Sequence, residues 1–191
     1  EEVFAFTEWF NRLDCGAWLP GDREELEELG IRSILWHGGL YRQSETPGAW
    51  HASEGLRREG LGIVGGGPVV YLWAPGRDGA PIGPEPSRTE PLLCDGWTDD
   101  GELELSEGAL WLYGEGTAEL ELEASAPMQV TAFADGSALE PTTVSGGGTV
   151  TASLPERGWH AFVLRGAPGL RLVRAGFVEP CTAYVLRRCA A

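Results

Sequence analysis

Residues 109–125 read ALWLYGEGTAELELEAS, and apolar side chains alternate with polar ones through the second half of this stretch. Alternation with a period of two is typical of a β-strand that turns one face to a core and the other to water. Leu120 and Leu122 are then predicted to face inward, as are the nearby Leu103 and Leu105. The intervening glutamates face solvent, so much of the acidic charge is predicted to be a solvated sheet face.

Similar segments recur along the C-terminal half of the chain. Alternating runs occupy residues 109–114, 118–125, 129–134, 149–154, 160–165 and 170–175. Turn residues separate them, at Asp135-Gly136, at Gly146-Gly147-Gly148 and at Pro168-Gly169. Short strands at regular spacing predict an antiparallel β-sandwich of jelly-roll type, and we assign residues 92–191 to this domain.

The N-terminal part, residues 1–76, mixes helix and strand patterns. LPGDREELEELG predicts a helix with Asp22 as N-cap, Leu26 and Leu29 facing inward, and Gly30 directly after its end. The following IRSILWHG is rich in β-branched and apolar residues and predicts a strand. We therefore expect a small α/β unit.

A segment dense in Pro and Gly, residues 77–91, follows that unit and has no apolar periodicity. Such a composition is typical of a linker between domains. The whole chain is thus predicted to be an α+β protein, with the small α/β unit, the linker and the β-sandwich in that order.

Charge excludes several classes of partner. The net charge is −15, from 29 acidic and 14 basic residues, and every basic residue is Arg. A field of this sign repels phosphate backbones and anionic lipids, so we expect no nucleic acid partner.

No apolar run reaches the roughly 18–20 residues of a membrane span, and no starting Met is present, so we expect a soluble fragment of a larger protein.

The four cysteines are Cys15, Cys94, Cys181 and Cys189, and no CxxC motif occurs. An even number permits two disulfides, in three connectivities, in an oxidising compartment; four buried thiols in a reducing one are the alternative. Residues 182–188 read as a strand, which would hold Cys181 and Cys189 too far apart to pair. Each of these two is therefore predicted to have a distant partner.

The sequence offers little support for catalysis. Each of the three histidines, His37, His51 and His160, follows a tryptophan, and no two have the spacing of paired metal ligands. A GxSxG elbow and a phosphate-binding loop are also missing. We predict a non-catalytic segment without cofactors. Two carboxylates that converge in space, as in glycoside hydrolases, stay open as an alternative.

Two sets of residues are candidates for binding. Asp95, Asp99 and Asp100 in a loop could ligate calcium through hard oxygen ligands, or could simply form turns. Aromatic side chains can stack on sugar rings; Trp111 is expected in the core, whereas Trp97 and Trp159 lie at loop edges where exposure is expected. The sugar-binding candidates are Trp97, Trp159 and Tyr113.

One stretch, covering roughly residues 20–75, resembles the end of bacterial membrane glycosyltransferases of the GT-C type. It has a helix that ends in LGI, a strand that ends in His, a following Tyr, and a hairpin that ends in VYL. The matching residues are Leu29-Gly30-Ile31, His37, Tyr41 and Val70-Tyr71-Leu72. The β-rich remainder, with GWHAFVLRGAPGLRL at 158–172, is similar to C-terminal extensions of actinobacterial-type members.

The resemblance implies an accessory domain and no catalytic residue, because the catalytic acids of that family lie between its membrane helices. The domain would be extracytoplasmic and tethered through a transmembrane region of the parent protein. Its partners would be that transmembrane domain and an acceptor glycan or a polyprenyl-linked sugar acceptor. Two alternatives stay open: a carbohydrate-binding module of a secreted glycoside hydrolase, and a structural interaction module of the cell envelope.

Overall fold

The computed structural model describes residues 12–13, 15–30, 86–94 and 96–178. The helix α1 spans Asp22–Glu28, and Arg12 and Leu13 are also helical. The strands are β1 (Leu92–Leu93), β2 (Glu107–Ala134), β3 (Ser137–Ala138), β4 (Thr142–Arg165) and β5 (Leu170–Val178). The described part is thus largely antiparallel β, as the alternation predicted. The rest of the predicted α/β unit, including residues 31–76, lies outside these ranges.

The long strands β2 and β4 bend, so that one sheet folds over on itself. Bulges interrupt their pairing at Gly114/Gly116 and at Ala124/Met128. The end of β4, residues 162–165, pairs with residues 107–110 on one side and with residues 131–134 on the other. Because both ends of β2 flank the same piece of β4, the sheet curls around a common core. This is the geometry of a β-sandwich, whereas the jelly-roll order stays a prediction.

The inner face carries the core that the alternation predicted. Leu103, Leu120 and Leu122 are fully buried, in one cluster with Phe162 and Leu164. Burial of such side chains stabilises a fold by about 1.5–3 kcal/mol each. Leu105, which the pattern also placed inside, is only half-buried because it lies in a bend before β2.

The turn predictions have mixed outcomes. Asp135-Gly136 forms the two-residue hairpin between β2 and β3, with φ of 46° and 78° as a type I′ turn requires. Gly146-Gly147-Gly148 was wrongly predicted as a turn. These glycines lie inside β4, where the ladder pairs them with residues 122–124.

The outer face of the sheet is also buried where β2 and β4 pair. Trp111 and Val163 lie in a second cluster that is covered by Ala17 and Leu19 of the N-terminal segment, residues 15–21. The indole Nε1 of Trp111 donates to the carbonyl oxygen of Cys15 at 3.0 Å. The prediction that Trp111 is a core residue is confirmed, since its exposure is 0%.

A disulfide between Cys15 and Cys94 pins the N-terminal segment to the β-fold, with their Cα atoms 5.9 Å apart. This pairing contradicts the prediction of distant partners for Cys181 and Cys189. Cys15 and Cys94 are the other two cysteines of the chain, so neither is left to pair with Cys181 or Cys189. Cys181 and Cys189 themselves lie outside the described residues.

The side chain of Arg12 is the second attachment. Its Nη1 and Nη2 donate to the two carboxylate oxygens of Asp22 at 2.6 and 2.8 Å, and its Nε donates to Glu107 at 2.8 Å. All three residues are buried. Burial opposes the charge of Arg12, but the hydrogen bonds and charges of Asp22 and Glu107 outweigh it and raise the pKa of the guanidinium.

This network corrects the predicted helix start. Asp22 is the first residue of α1, and Gly21 is the N-cap. The Asp22 carboxylate instead accepts from the backbone N–H of Leu19 and from Arg12. Leu26 is buried as predicted, but Leu29 is 56% exposed, because the helix ends at Glu28 before its last turn reaches the core. No helix in the described ranges is long and apolar enough to span a membrane.

Replacing Arg12 with Leu should lower the free energy of unfolding by about 3–5 kcal/mol, because two buried carboxylates lose a shared cation. The control is Arg174→Leu, which removes an exposed ion pair with Glu121 and should cost no more than about 1 kcal/mol. Urea denaturation of both variants measures the two values. Equal losses would show that the Arg12 network does not hold the N-terminal segment.

Candidate functional site

Two of the three predicted sugar-binding side chains, Trp97 and Trp159, are buried. Trp97, expected to be exposed, is 8% exposed and packs in the inner core. Its indole lies against the backbone of β2 at Gly108, where a Cβ atom would come within 2.5 Å of Nε1. The prediction of exposure was wrong because the loop closes on itself, with Trp97 bridged to Leu103, and is held to β5 by the bridge of Glu102 to Arg171, which turns the ring inward.

Trp159 and Tyr113 are also covered by neighbouring groups of the protein. Trp159, also predicted to be exposed, is 6% exposed because the N-terminal segment covers its side of the sheet. Tyr113 meets it edge to face, with ring centroids 5.4 Å apart. The guanidinium of Arg88 lies 4.4 Å above the Tyr113 ring and donates to its hydroxyl at 3.0 Å. The end of the predicted linker therefore contacts the sheet, and the ring offers a sugar no uncovered face on that side.

The calcium candidates form a turn. The Thr98 hydroxyl donates to the carboxylate of Asp100, which lowers the pKa of that carboxyl. Asp99 is exposed beside it, and Asp95 lies outside the described residues. Across residues 12–13, 15–30, 86–94 and 96–178, no three His, Cys, Asp or Glu side chains converge as metal ligands would.

His160 is buried between two acceptors, while His37 and His51 lie outside the described residues. Its Nδ1 lies 2.6 Å from a carboxylate oxygen of Asp135, and its Nε2 lies 2.9 Å from the backbone carbonyl oxygen of Glu156. Both partners are acceptors, and such an arrangement favours the ring with a proton on each nitrogen. The other Asp135 oxygen accepts the N–H of Ala161 at 2.9 Å.

The pKa of His160 follows from this arrangement. Burial alone would lower it, but the hydrogen bond to Asp135, its charge, and the carbonyls of Glu156 and Gly114 outweigh burial. The pKa is therefore raised above the ordinary value of 6.5. Because both nitrogens are engaged, this His–Asp pair lacks the vacant nitrogen that a general base needs.

A polar groove lies between the N-terminal segment and the edge of the sheet. Its cavity volume is about 450 Å³. One wall is the turn before α1 together with Glu25, and the floor is formed by Phe133, Ala138 and Arg165. The wall and the floor are far apart in sequence, and the disulfide and the Arg12 network hold them together.

Arg165 is the main functional group in the groove. Its Nε donates to Glu107 at 2.9 Å, and its guanidinium lies 5.2 Å from the centre of the Phe133 ring. These contacts fix the plane of the group while 48% of the side chain stays exposed. Within the described part of the chain, its two terminal nitrogens have no hydrogen-bond partner, so they are available to a ligand.

Sequence reasoning missed this groove. Glu107 and Arg165 are 58 residues apart and meet only because β2 and β4 pair in register there. Both stand at strand ends, at the start of β2 and the end of β4. The sequence signal that could have pointed to the groove was a charged residue at the end of an alternating run.

A second groove, of about 310 Å³, lies beside β5. It is lined by acidic residues, with Arg174 as its one basic residue, and by the partly exposed Leu93 and Val173. Arg174 is engaged with Glu121 at 3.2 Å. Both members of this pair are exposed, so the guanidinium of Arg174 is held less firmly than that of Arg165, which pairs with the buried Glu107.

No family model and no curated protein matches the chain. Among solved structures, an active site mutant of a family two carbohydrate esterase from Clostridium thermocellum is similar to 47% of this chain, at 20% identity and a TM-score of 0.37. The family two esterase in complex with cellohexaose is similar to 44%, at 22% identity and a TM-score of 0.35.

A family GH115 4-O-methyl-alpha-glucuronidase with specificity for decorated arabinogalactans is similar to 55% of the chain, at 12% identity and a TM-score of 0.30. The matched parts cover 31%, 29% and 19% of those three chains, so this chain spans less than a third of each.

The raised pKa of His160 makes stability depend on pH. A group whose folded pKa lies above its unfolded value stabilises fully below the unfolded value, here about 6.5, and loses that contribution as pH rises through the folded pKa. The loss of stability caused by Asp135→Asn should therefore be largest near pH 6 and shrink toward pH 9.

Denaturant titrations of both proteins at four pH values measure this difference, and the other two histidines cancel in it. A difference that stays constant from pH 6 to 9 would contradict the raised pKa of His160.

Proposed function

We propose that this segment is a non-catalytic, extracytoplasmic domain that binds a glycan in the groove at Arg165. The observation that carries the proposal is the fixed but exposed guanidinium of Arg165, in a groove that Glu25 also lines. A sugar hydroxyl is both donor and acceptor, so a site for sugars needs both kinds of partner. This groove supplies donors on its floor and an acceptor on its wall.

The few polar groups of the groove can bind a ligand effectively because Arg165 is held in place before the ligand arrives. Arg165 already has its Nε and its ring contact satisfied, so little side-chain freedom is lost when a ligand arrives. The groove volume of about 450 Å³ falls within the range of about 300–1,000 Å³ typical of small-molecule sites. A groove of this size accommodates a short piece of a longer glycan.

Two further observations support the extracytoplasmic location and the non-catalytic role. The Cys15–Cys94 disulfide favours an oxidising compartment, because cytosolic thiols are kept reduced. The engagement of both His160 nitrogens favours a binding role over catalysis in the described part of the chain.

The parent that we propose is a membrane glycosyltransferase of the GT-C type, with the domain placed to contact the acceptor glycan. This part of the proposal rests on the sequence resemblance of residues 20–75. A carbohydrate-binding module of a secreted glycoside hydrolase would use the same groove and differ only in the rest of the parent chain. A purely structural envelope module would bind no glycan at all.

Replacing Arg165 with Leu should weaken glycan binding at least about tenfold, since a charge-assisted hydrogen bond of about 1.5–3 kcal/mol is lost. The probe is the tightest-binding oligosaccharide from a glycan array, titrated by calorimetry. Arg174→Leu is the matched control, because it removes an equally paired, exposed Arg from the second groove.

A further variant guards against loss of folding. Ala138→Trp fills the groove from an exposed position and leaves the ion pairs intact, so it should abolish binding without loss of stability. Binding that survives both Arg165→Leu and Ala138→Trp but is lost in Arg174→Leu would move the site to the second groove. An array without any binder would overturn the glycan proposal.

The extracytoplasmic location predicts that the disulfide exists in the cell. Protein taken from its own cells, alkylated at lysis and digested without reduction, should yield a crosslinked peptide pair that contains Cys15 and Cys94. Both peptides recovered in alkylated form would show that the protein resides in a reducing compartment.

A further inference from the structure

We infer that the Arg165 groove selects neutral glycans and rejects anionic ones, such as uronates and sugar phosphates. The inference rests on the proposed function and names the class of ligand for the same groove. An exposed Arg in a groove would ordinarily suggest a carboxylate or phosphate ligand, because its fork of donors matches those groups. The charges around Arg165 favour a neutral ligand instead.

The positive charge of Arg165 is already matched inside the protein. Glu107 accepts from Arg165 at 2.9 Å and from Arg12 at 2.8 Å, and Arg12 in turn holds Asp22. Among the residues that the structure describes, two guanidinium groups and two carboxylates thus form one connected network, and their formal charges sum to zero. A ligand anion would meet a cation whose field is largely cancelled by a carboxylate buried directly behind it.

The wall of the groove adds a negative charge. Glu25 lines the groove and is exposed, and it has no cationic partner among the residues that the structure describes. Together with the described network behind it, which includes Glu107, Glu25 brings the sum of the formal charges to −1, within a chain whose net charge is −15. An anion would approach against both the local and the overall field.

A neutral polyol avoids this repulsion and uses every group present. A hydroxyl that donates to the Glu25 carboxylate, and an oxygen that accepts from the terminal nitrogens of Arg165, form two charge-assisted hydrogen bonds. Neither requires the network behind to rearrange. The same argument excludes the phosphate of a lipid-linked sugar from the groove and leaves only its neutral sugar part as a ligand.

The test uses an array of pentasaccharides of glucose, mannose and galactose, each beside the uronate pentasaccharide of the same linkage. Of the two pentasaccharides that share a linkage, the neutral one should bind at least tenfold tighter than the uronate. This difference in affinity should shrink as the salt concentration rises from 20 to 200 mM. Glu25→Gln should raise the affinity for the uronate at least threefold and lower that for the neutral sugar. The control is Glu24→Gln, which removes an exposed carboxylate from the same helix outside the groove and should change neither value by more than twofold.

The outcomes separate the two proposals. A uronate that binds as tightly as its neutral counterpart, and that needs Arg165, would overturn the inference and leave the glycan-binding function standing. Equal effects of Glu25→Gln and Glu24→Gln would also overturn it, because selection would then come from the overall charge. If no pentasaccharide of either class binds, the proposed function fails and the inference fails with it.

Discussion

The buried guanidinium of Arg12 is the constraint on which the described structure depends. It joins Asp22, at the start of the helix, to Glu107, at the start of the longest strand. A buried charge is tolerated only when its hydrogen-bonding capacity is nearly filled, and here the carbonyl of Ala17 takes a further N–H at 2.9 Å. The N-terminal segment must therefore follow one path over the sheet, and the outer face of the sheet is covered as a consequence.

That covering explains why the groove exists and why its charges are balanced. The turn before the helix can form a wall only because the segment is held on the sheet by the network and by the Cys15–Cys94 disulfide. The same Glu107 that anchors Arg12 also orients Arg165. One carboxylate thus links the stability of the fold to the geometry of the proposed binding site, and it leaves that site without excess positive charge.

The sequence predicted the class of the fold better than the site. Alternation identified Leu120 and Leu122 as inner core residues, because a period of two depends only on local backbone geometry. The aromatic residues were misplaced, since position near a loop says little about which neighbours cover a ring. Trp97 and Trp159 are buried by a loop that returns to the sheet and by a segment well over a hundred residues away from Trp159.

The sequence by itself determined the antiparallel β character of residues 107–178, the hairpin at Asp135-Gly136 and the strongly acidic charge. These properties follow from local spacing, turn chemistry and composition, which need no knowledge of distant contacts. Only the tertiary structure decided that Arg165 is held beside Phe133, that Glu25 lines the same groove, and that Glu107 neutralises Arg165. Those relations depend on strand register and on the path of the N-terminal segment, and both are set by contacts between residues 58 to 95 positions apart.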